Sequence, residues 1–297
     1  MSNQAWPAGK KLQTVFLYAG LTLLIIGAAG PKIGSEIREV TREGVDLMIA
    51  LDVSRGMNAE DVRPNRLDKA RFEIASLIDR LEGDRVGLIL FTNTAFLQCP
   101  LTTDYSAFNM YLDLASPDQF PTKGTDFNAP LREALRAFED RSAQQEDAAR
   151  VLLFFSDGED HSPSFDRQLE ALQEAGVYIY TVGIGTPSGA PIPLYDENTG
   201  RRTGFFNDRQ GERVITRLES DNLRRMAEAG RGQYYEIRRG NDRLENFTRQ
   251  LAELERREFA SEQFSDYANR YQYPTAAGLL LLCLYFMIPV YKSARVS

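Results

Sequence analysis

Oxygen donors close three apolar or helical stretches of this chain. Asp52 and Ser54 lie two residues apart, just beyond the apolar run 47–51. Thr125 and Asp126 end a loop, 117–126, rich in Pro, Gly, Thr and Asp. Asp157 follows the run 151–155, a continuous Val, Leu and Phe stretch. Asp52, Ser54, Thr125 and Asp157 are hard donors, which suit magnesium, manganese or calcium rather than zinc or copper. A site built from them keeps waters, and so an open coordination position. Each residue also has a plainer use. Asp52 and Ser54 suit caps for the segment that follows. Thr125 or Asp126 suits the N-cap of a helix beginning at 127, and Ser156-Asp157-Gly158 suits a turn. Their recurrence at three loops, each after a buried strand or before a helix, singles the set out. His161 reads as an exposed loop residue. Glu159 and Asp160 read as solvated, adding negative potential nearby.

Those loops need rigid elements behind them. The run 47–51 fits a fully buried strand. Leu67, Ala70, Ile74, Leu77, Ile78 and Leu81 recur at helical spacing, so 65–81 reads as an amphipathic helix stopped by Gly83-Asp84. Residues 86–91 form a second buried strand. Residues 95–99 form a short strand after a tight connection, antiparallel at a sheet edge. Helices over 105–115 and 127–138, a strand over 151–155, a helix marked by Phe165, Leu169 and Leu172, and a strand over 177–182 follow. Residues 190–216, with Pro191, Pro193, Gly200, Gly204 and Gly211, break this rhythm and read as an inserted hairpin. A short helix with Leu223 and Met226 and a strand over 233–237 come next. In the last soluble helix, 241–258, Leu244, Phe247, Leu251 and Leu254 make a stripe for the sheet or for a partner helix. Strands alternating with helices predict an α/β domain with a mainly parallel sheet covered on both faces.

The chain has 297 residues and a formal net charge of -7 without a basic block, which argues against nucleic acid as a partner. Two distant cysteines, Cys99 and Cys283, and a lone histidine supply neither a disulfide framework nor an imidazole-rich metal site. Residues 12–30 and 274–291 are long uncharged apolar runs, read as transmembrane helices. A cleaved signal competes for the first and a buried core helix for the second. Between them lie a domain over 45–240 and a helix with linker over 241–273. Lys10, Lys11, Lys292 and Arg295 place both ends in the cytoplasm by the positive-inside rule. The expectation is an inner-membrane protein with two spans and a periplasmic, extracytoplasmic domain.

The motifs Asp52-Val53-Ser54-Arg55-Gly56, Gly124-Thr125-Asp126 and Ser156-Asp157-Gly158 resemble the metal-ion-dependent adhesion site (MIDAS) of von Willebrand factor A (VWA) domains. The stretches LDVSRGMNAEDVRPNRLDKAR, GDRVGLILF, QCPLTTDYSAF, PTKGTD and FFSDGEDH resemble the membrane-anchored aerotolerance (Bat) branch. The likeness runs from about Leu21 to the C-terminal apolar run. It implies a Rossmann-like, doubly wound VWA domain holding Mg²⁺ (or Mn²⁺) at the top of the sheet. It also implies direct contact from Ser54 and Thr125, with Asp52 and Asp157 acting largely through waters or hydrogen bonds. A metal held by neutral hydroxyls stays electrophilic and accepts a carboxylate from a partner protein. Other VWA or Bat proteins and MoxR-type AAA+ ATPases are the partners the resemblance implies, in stress tolerance or complex assembly. Gly56 departs from the pattern, because that position is usually a serine whose hydroxyl is a direct ligand.

Three functions compete. A binding module uses the metal to hold a partner, and a scaffold keeps a degenerate metal site. A metal-dependent hydrolase has little support: the chain has no G-x-S-x-G elbow, no P-loop, and no base of near-neutral pKa unless a carboxylate is strongly shifted. A non-enzymatic role is therefore expected. Restoring Gly56→Ser tightens Mg²⁺-dependent binding in the first reading and changes nothing in the second.

Overall fold

The computed structural model describes residues 8–29, 32–35, 44–120, 124–139, 148–162, 164–196, 199–238, 244–263, 267–269 and 271–287. The chain divides into two compact units, Val40–Phe259 and a terminal unit of Met1–Glu39 with Ala260–Ser297.

In the larger unit, six strands make one sheet: β1 (Asp46–Asp52), β2 (Arg85–Phe91), β3 (Ala95–Thr102), β4 (Arg150–Ser156), β5 (Tyr178–Ile184) and β6 (Arg231–Ile237), in the order β6-β5-β4-β1-β2-β3. All neighbours are parallel except β2 and β3, whose antiparallel pairing makes β3 an edge strand. The edge position explains how β3 accommodates Pro100, which has no N–H to give a ladder. It also lets the strand run to Thr102, beyond the 95–99 expected.

Central β1 is buried at every residue, as its unbroken apolar run demands. Alternation sends Leu47, Ile49 and Leu51 to one face, where they pack with Leu67, Ile74 and Ile78 of α1 (Arg66–Ile78). Phe108 and Leu112 of α2 (Tyr105–Asp113) join that core. Met48 and Ala50 face the opposite core with Leu131 and Phe138 of α3 (Asn128–Glu139), Leu169 of α4 (Asp166–Glu174) and Leu223 of α5 (Ser220–Ala229). The stripe Leu244, Phe247, Leu251 and Leu254 on α6 (Leu244–Gln263) is buried in the first core, with Phe247 edge-on to Tyr180 and Tyr235. It therefore packs within the domain. Between β5 and α5 the chain forms two short antiparallel ladders, Ala190–Pro191 with Ile215–Thr216 and Pro193–Tyr195 with Arg202–Phe205.

In the terminal unit, Ala8–Ala28 and Gln272–Met287 are helices, and Lys32–Ser35 pairs antiparallel with Tyr267–Asn269, the latter in the stretch read from the sequence as a linker. Among the described residues, no helix is long and apolar enough to cross a membrane. Residues 288–291 of the expected span lie outside the described residues, as do Lys292 and Arg295.

Candidate metal centre

Parallel strands deliver their carboxyl ends to one side of the sheet, so the loops after β1 and β4 are neighbours. Asp52 ends β1 fully buried. Its Oδ1 accepts the N–H of Ser54 at 2.8 Å and its Oδ2 accepts the Ser156 hydroxyl at 2.6 Å. The Ser156 oxygen in turn accepts the N–H of Gly158 at 3.0 Å. One carboxylate thus ties two motif loops together. Thr125 is buried, and its carbonyl accepts the N–H of His161 at 3.0 Å. Asp126 donates its N–H to the Thr92 carbonyl (3.0 Å), and its Oδ1 accepts the N–H of Asn128 (2.8 Å). Asp126 takes the capping role that spacing left open between it and Thr125. The buried Thr92 hydroxyl, beside this loop, has no hydrogen-bond partner among the described residues.

Asp157 is buried, and its surroundings hold the groups that sequence reasoning missed. Its Oδ2 accepts Nη1 of Arg66 at 3.0 Å and lies 3.2 Å from the Thr216 hydroxyl. Arg66, also fully buried, pairs with both oxygens of Asp61 at 2.8 Å. It further donates to the Thr216 hydroxyl (3.0 Å) and carbonyl (3.1 Å). Asp61 in turn accepts the N–H and hydroxyl of Thr186. A signal for Arg66 existed. It follows the N-cap Asn65 directly, in a helix's first turn, where the macrodipole disfavours a cation. An arginine there needs carboxylates of its own. Glu159 and Asp160, expected to be solvated, are half-buried and also accept hydrogen bonds from the chain. Glu159 accepts the Thr216 hydroxyl and the Arg217 N–H, both at 2.9 Å, while Asp160 accepts the N–H groups of Phe127 and Ser162. His161 is exposed, as its loop position suggested.

Charge does not balance here. Burial pushes the Asp52 carboxyl up to about 6, against hydrogen bonds from Ser156 and Ser54. Asp157 is pushed well above the usual range by burial and then by the charge of Asp52, with Arg66 opposing. For Asp61 burial acts upward, but Arg66 and Thr186 outweigh it and hold the group low. One guanidinium thus serves Asp61 and Asp157, while no cationic side chain pairs with Asp52 among the described residues. No cluster of three or more His, Cys, Asp or Glu fit for a metal occurs among those residues. Asp52, Ser54, Thr125 and Asp157, the donors expected from the sequence, suit a divalent cation by charge and by donor hardness.

Gly56 is more than a missing hydroxyl. A Cβ there would lie 2.4 Å from Asp157 Oδ2 and 3.2 Å from Thr216 Oγ1. The Asp157 carboxylate occupies the room a serine would need, held by Arg66 and Thr216. Gly56→Ser is therefore expected to displace Asp157 and destabilise the metal-free protein by about 1–3 kcal/mol, the usual range for overpacking. Urea unfolding in chelator checks this, and an unchanged midpoint would refute it.

Comparison with known proteins agrees with this frame. The von Willebrand factor type A domain model matches residues 47–159. The crystal structure of BatB from Bacteroides thetaiotaomicron is 33% identical with a TM-score of 0.61, covering 75% of this chain and 100% of that one. This chain belongs to the Bat-like VWA proteins. An aerotolerance-related membrane protein from Bacteroides fragilis is likewise 33% identical, with a TM-score of 0.62, over 72% of this chain and 100% of that one. A UPF0353 protein of Mycobacterium avium is 29% identical over 205 residues, 63% of this Bat-like chain and 60% of the relative's length.

Proposed function

We propose that this Bat-like protein is a non-enzymatic, membrane-anchored binding module whose VWA site takes Mg²⁺ or Mn²⁺ and is completed by a partner's carboxylate. The observation that carries the reading is the pair of buried carboxylates, Asp52 and Asp157, with too little positive charge beside them. Ser54 and Thr125 would hold the ion, with Asp52 and Asp157 behind them. The bound ion supplies an electrophilic position for an anion. The chain itself contributes rigidity: Asp52 fixes Ser54 and Ser156, and the Thr125 loop is pinned by backbone hydrogen bonds.

Anchoring is supported by the terminal helices. A Cβ on Gly20 would meet the Gly278 carbonyl oxygen at 3.1 Å, and one on Gly278 would meet that of Gly20 at 3.0 Å. Such close backbone approach through small residues is how helices pack in lipid. Val15, Tyr18, Ile25, Leu280 and Phe286 are exposed, an apolar surface suited to acyl chains. With both ends cytoplasmic, the domain faces the periplasm.

The test is crosslinking and affinity capture from native membranes, with and without chelator. Partner capture should fall at least tenfold in chelator and with Asp52→Ala. A second VWA protein or a MoxR-type ATPase among the captured chains then identifies the partner class. The Arg66–Asp157 pair and Gly56 favour a second reading, a scaffold that needs no ion. That reading predicts capture indifferent to chelator and would displace ours.

A further inference from the structure

The inserted ladders between β5 and α5 leave the sheet near Thr186 and return near Thr216, and both ends of this neck converge on Arg66. The Thr186 N–H and hydroxyl donate to Asp61 Oδ2 at 2.8 and 2.9 Å. Asp61 pairs through both oxygens with Arg66. Arg66 in turn donates to the Thr216 hydroxyl at 3.0 Å and to its carbonyl at 3.1 Å. A Cβ on Gly185, where φ is +138°, would lie 2.8 Å from Arg66 Nε, so the guanidinium packs directly on the departing backbone. The two ends also meet each other, since Leu218 donates its N–H to the Thr186 carbonyl at 3.1 Å. Arg66 is thus a clasp across the neck of the insert.

The same clasp holds the third motif loop. Arg66 Nη1 donates to Asp157 Oδ2 at 3.0 Å, and the Thr216 hydroxyl lies 3.2 Å from that oxygen. Beside it, Glu159 Oε1 accepts the Thr216 hydroxyl and the Arg217 N–H, both at 2.9 Å. The Asp157 carbonyl accepts the N–H of Glu219 at 2.8 Å. Two claims therefore meet on one carboxylate. Asp157 is engaged by Arg66 and Thr216, and it is also one of the four donors that suit a divalent cation. A carboxylate drawn toward an ion weakens its bonds to Arg66 and Thr216, and a second positive charge nearby opposes the guanidinium. Arg66 has no exposed surface and Asp157 almost none, so solvent screens these opposed claims little.

We infer that Thr216 is a positioning residue: with Arg66 it holds Asp157 back from the ion, so that metal occupancy and closure of the insert's neck oppose each other. The inference rests on the metal-site reading and adds a regulation of that site from outside its four donors. Such coupling is reciprocal. Ion binding loosens the neck, and a looser neck binds the ion more tightly. The insert thereby reports whether the site is filled, and a contact that opens the neck raises the affinity of the site.

The test uses the full-length protein in detergent. Mn²⁺ affinity is read by electron paramagnetic resonance, and amide hydrogen exchange by mass spectrometry in Mg²⁺ or chelator. Thr216→Val keeps the shape and removes the hydroxyl. It should bind Mn²⁺ roughly tenfold more tightly than the wild type, the weight of one hydrogen bond to a charged group. Thr216→Ser restores the hydroxyl and should restore the wild-type affinity. In the wild type, peptides spanning 184–190 and 212–219 should exchange about threefold faster in Mg²⁺ than in chelator, while those of β1 should not. In Thr216→Val the neck peptides should exchange fast in both. Mn²⁺ binding by Thr216→Val that is equal to or weaker than the wild type's overturns the coupling, as does neck exchange that Mg²⁺ slows or leaves alone. Failure of the metal reading looks different: neither protein then binds Mn²⁺, and the coupling falls with it.

Discussion

Arg66→Met should cost this protein about 3–5 kcal/mol, the range for removing one partner of a buried ion pair. Arg66 has no exposed surface, and Asp157 has almost none. Methionine fills much of the volume, so packing loss is small, but it leaves Asp61 and Asp157 without their cation. The damage comes from stranded charge, and this sets the controls. Adding Asp157→Asn to Arg66→Met should recover a substantial part of the loss, because a neutral amide needs no counter-charge. Mg²⁺ should stabilise Arg66→Met more than it stabilises the wild type, since the ion then provides the only positive charge for Asp157. Urea unfolding of the single and double variants, with and without Mg²⁺, measures all three effects. A single variant within 1 kcal/mol of the wild type would show that the network carries little stability. A double variant no better than the single would assign the loss to packing.

Much of this frame is legible in the amino-acid order, and the boundary of legibility is physical. The run 47–51 is apolar without a break, which only a strand covered on both faces tolerates, and β1 is such a strand. The apolar stripes of α1 and α6 carry the period of a helix and are buried as a stripe should be. What periodicity cannot convey is partnership across the fold. Arg66 meets Asp157 over 91 residues and Thr216 over 150. The place of Arg66 in the first turn of its helix signals a need for carboxylates, but not which ones. Thr216 sat among the turn residues of an excursion with no pattern to mark it. Ser156 read as part of a turn, whereas its hydroxyl is what locks Asp52. Gly56 was legible as a departure from a motif, but the motif reports only the absent hydroxyl. The 2.4 Å approach to Asp157 belongs to three dimensions.

The second large effect concerns Asp52, and its sign runs against habit. A carboxylate usually binds its proton more weakly in the folded protein. Here burial raises the group from 3.8 to about 6, so the folded chain holds the proton more tightly than the unfolded chain does. Its contribution to stability is then greatest below about pH 4, declines as pH rises to about 6, and is level beyond. A shift of this size corresponds to about 3 kcal/mol lost across the window. Asp157 is shifted in the same direction, while Asp61 is shifted in the opposite one and loses stability as pH falls. A raw pH profile therefore mixes signs, and the difference between wild type and Asp52→Asn separates Asp52. Asparagine keeps the shape, accepts from the Ser54 N–H through its oxygen, and donates to Ser156. In chelator the variant should match the wild type near pH 4 and exceed it by about 3 kcal/mol at pH 7. Mg²⁺ reverses the order. An ion stabilises the ionised carboxylate and competes with its proton, so the wild type should gain melting temperature from Mg²⁺ only as pH rises through about 6. Asp52→Asn should gain little at any pH. Thermal melts over pH 4 to 8, with Mg²⁺ or chelator, test both halves. If Asp52→Asn is less stable than the wild type at pH 7 in chelator, the Asp52 charge is already compensated, and the shortage of positive charge that calls for an ion is absent.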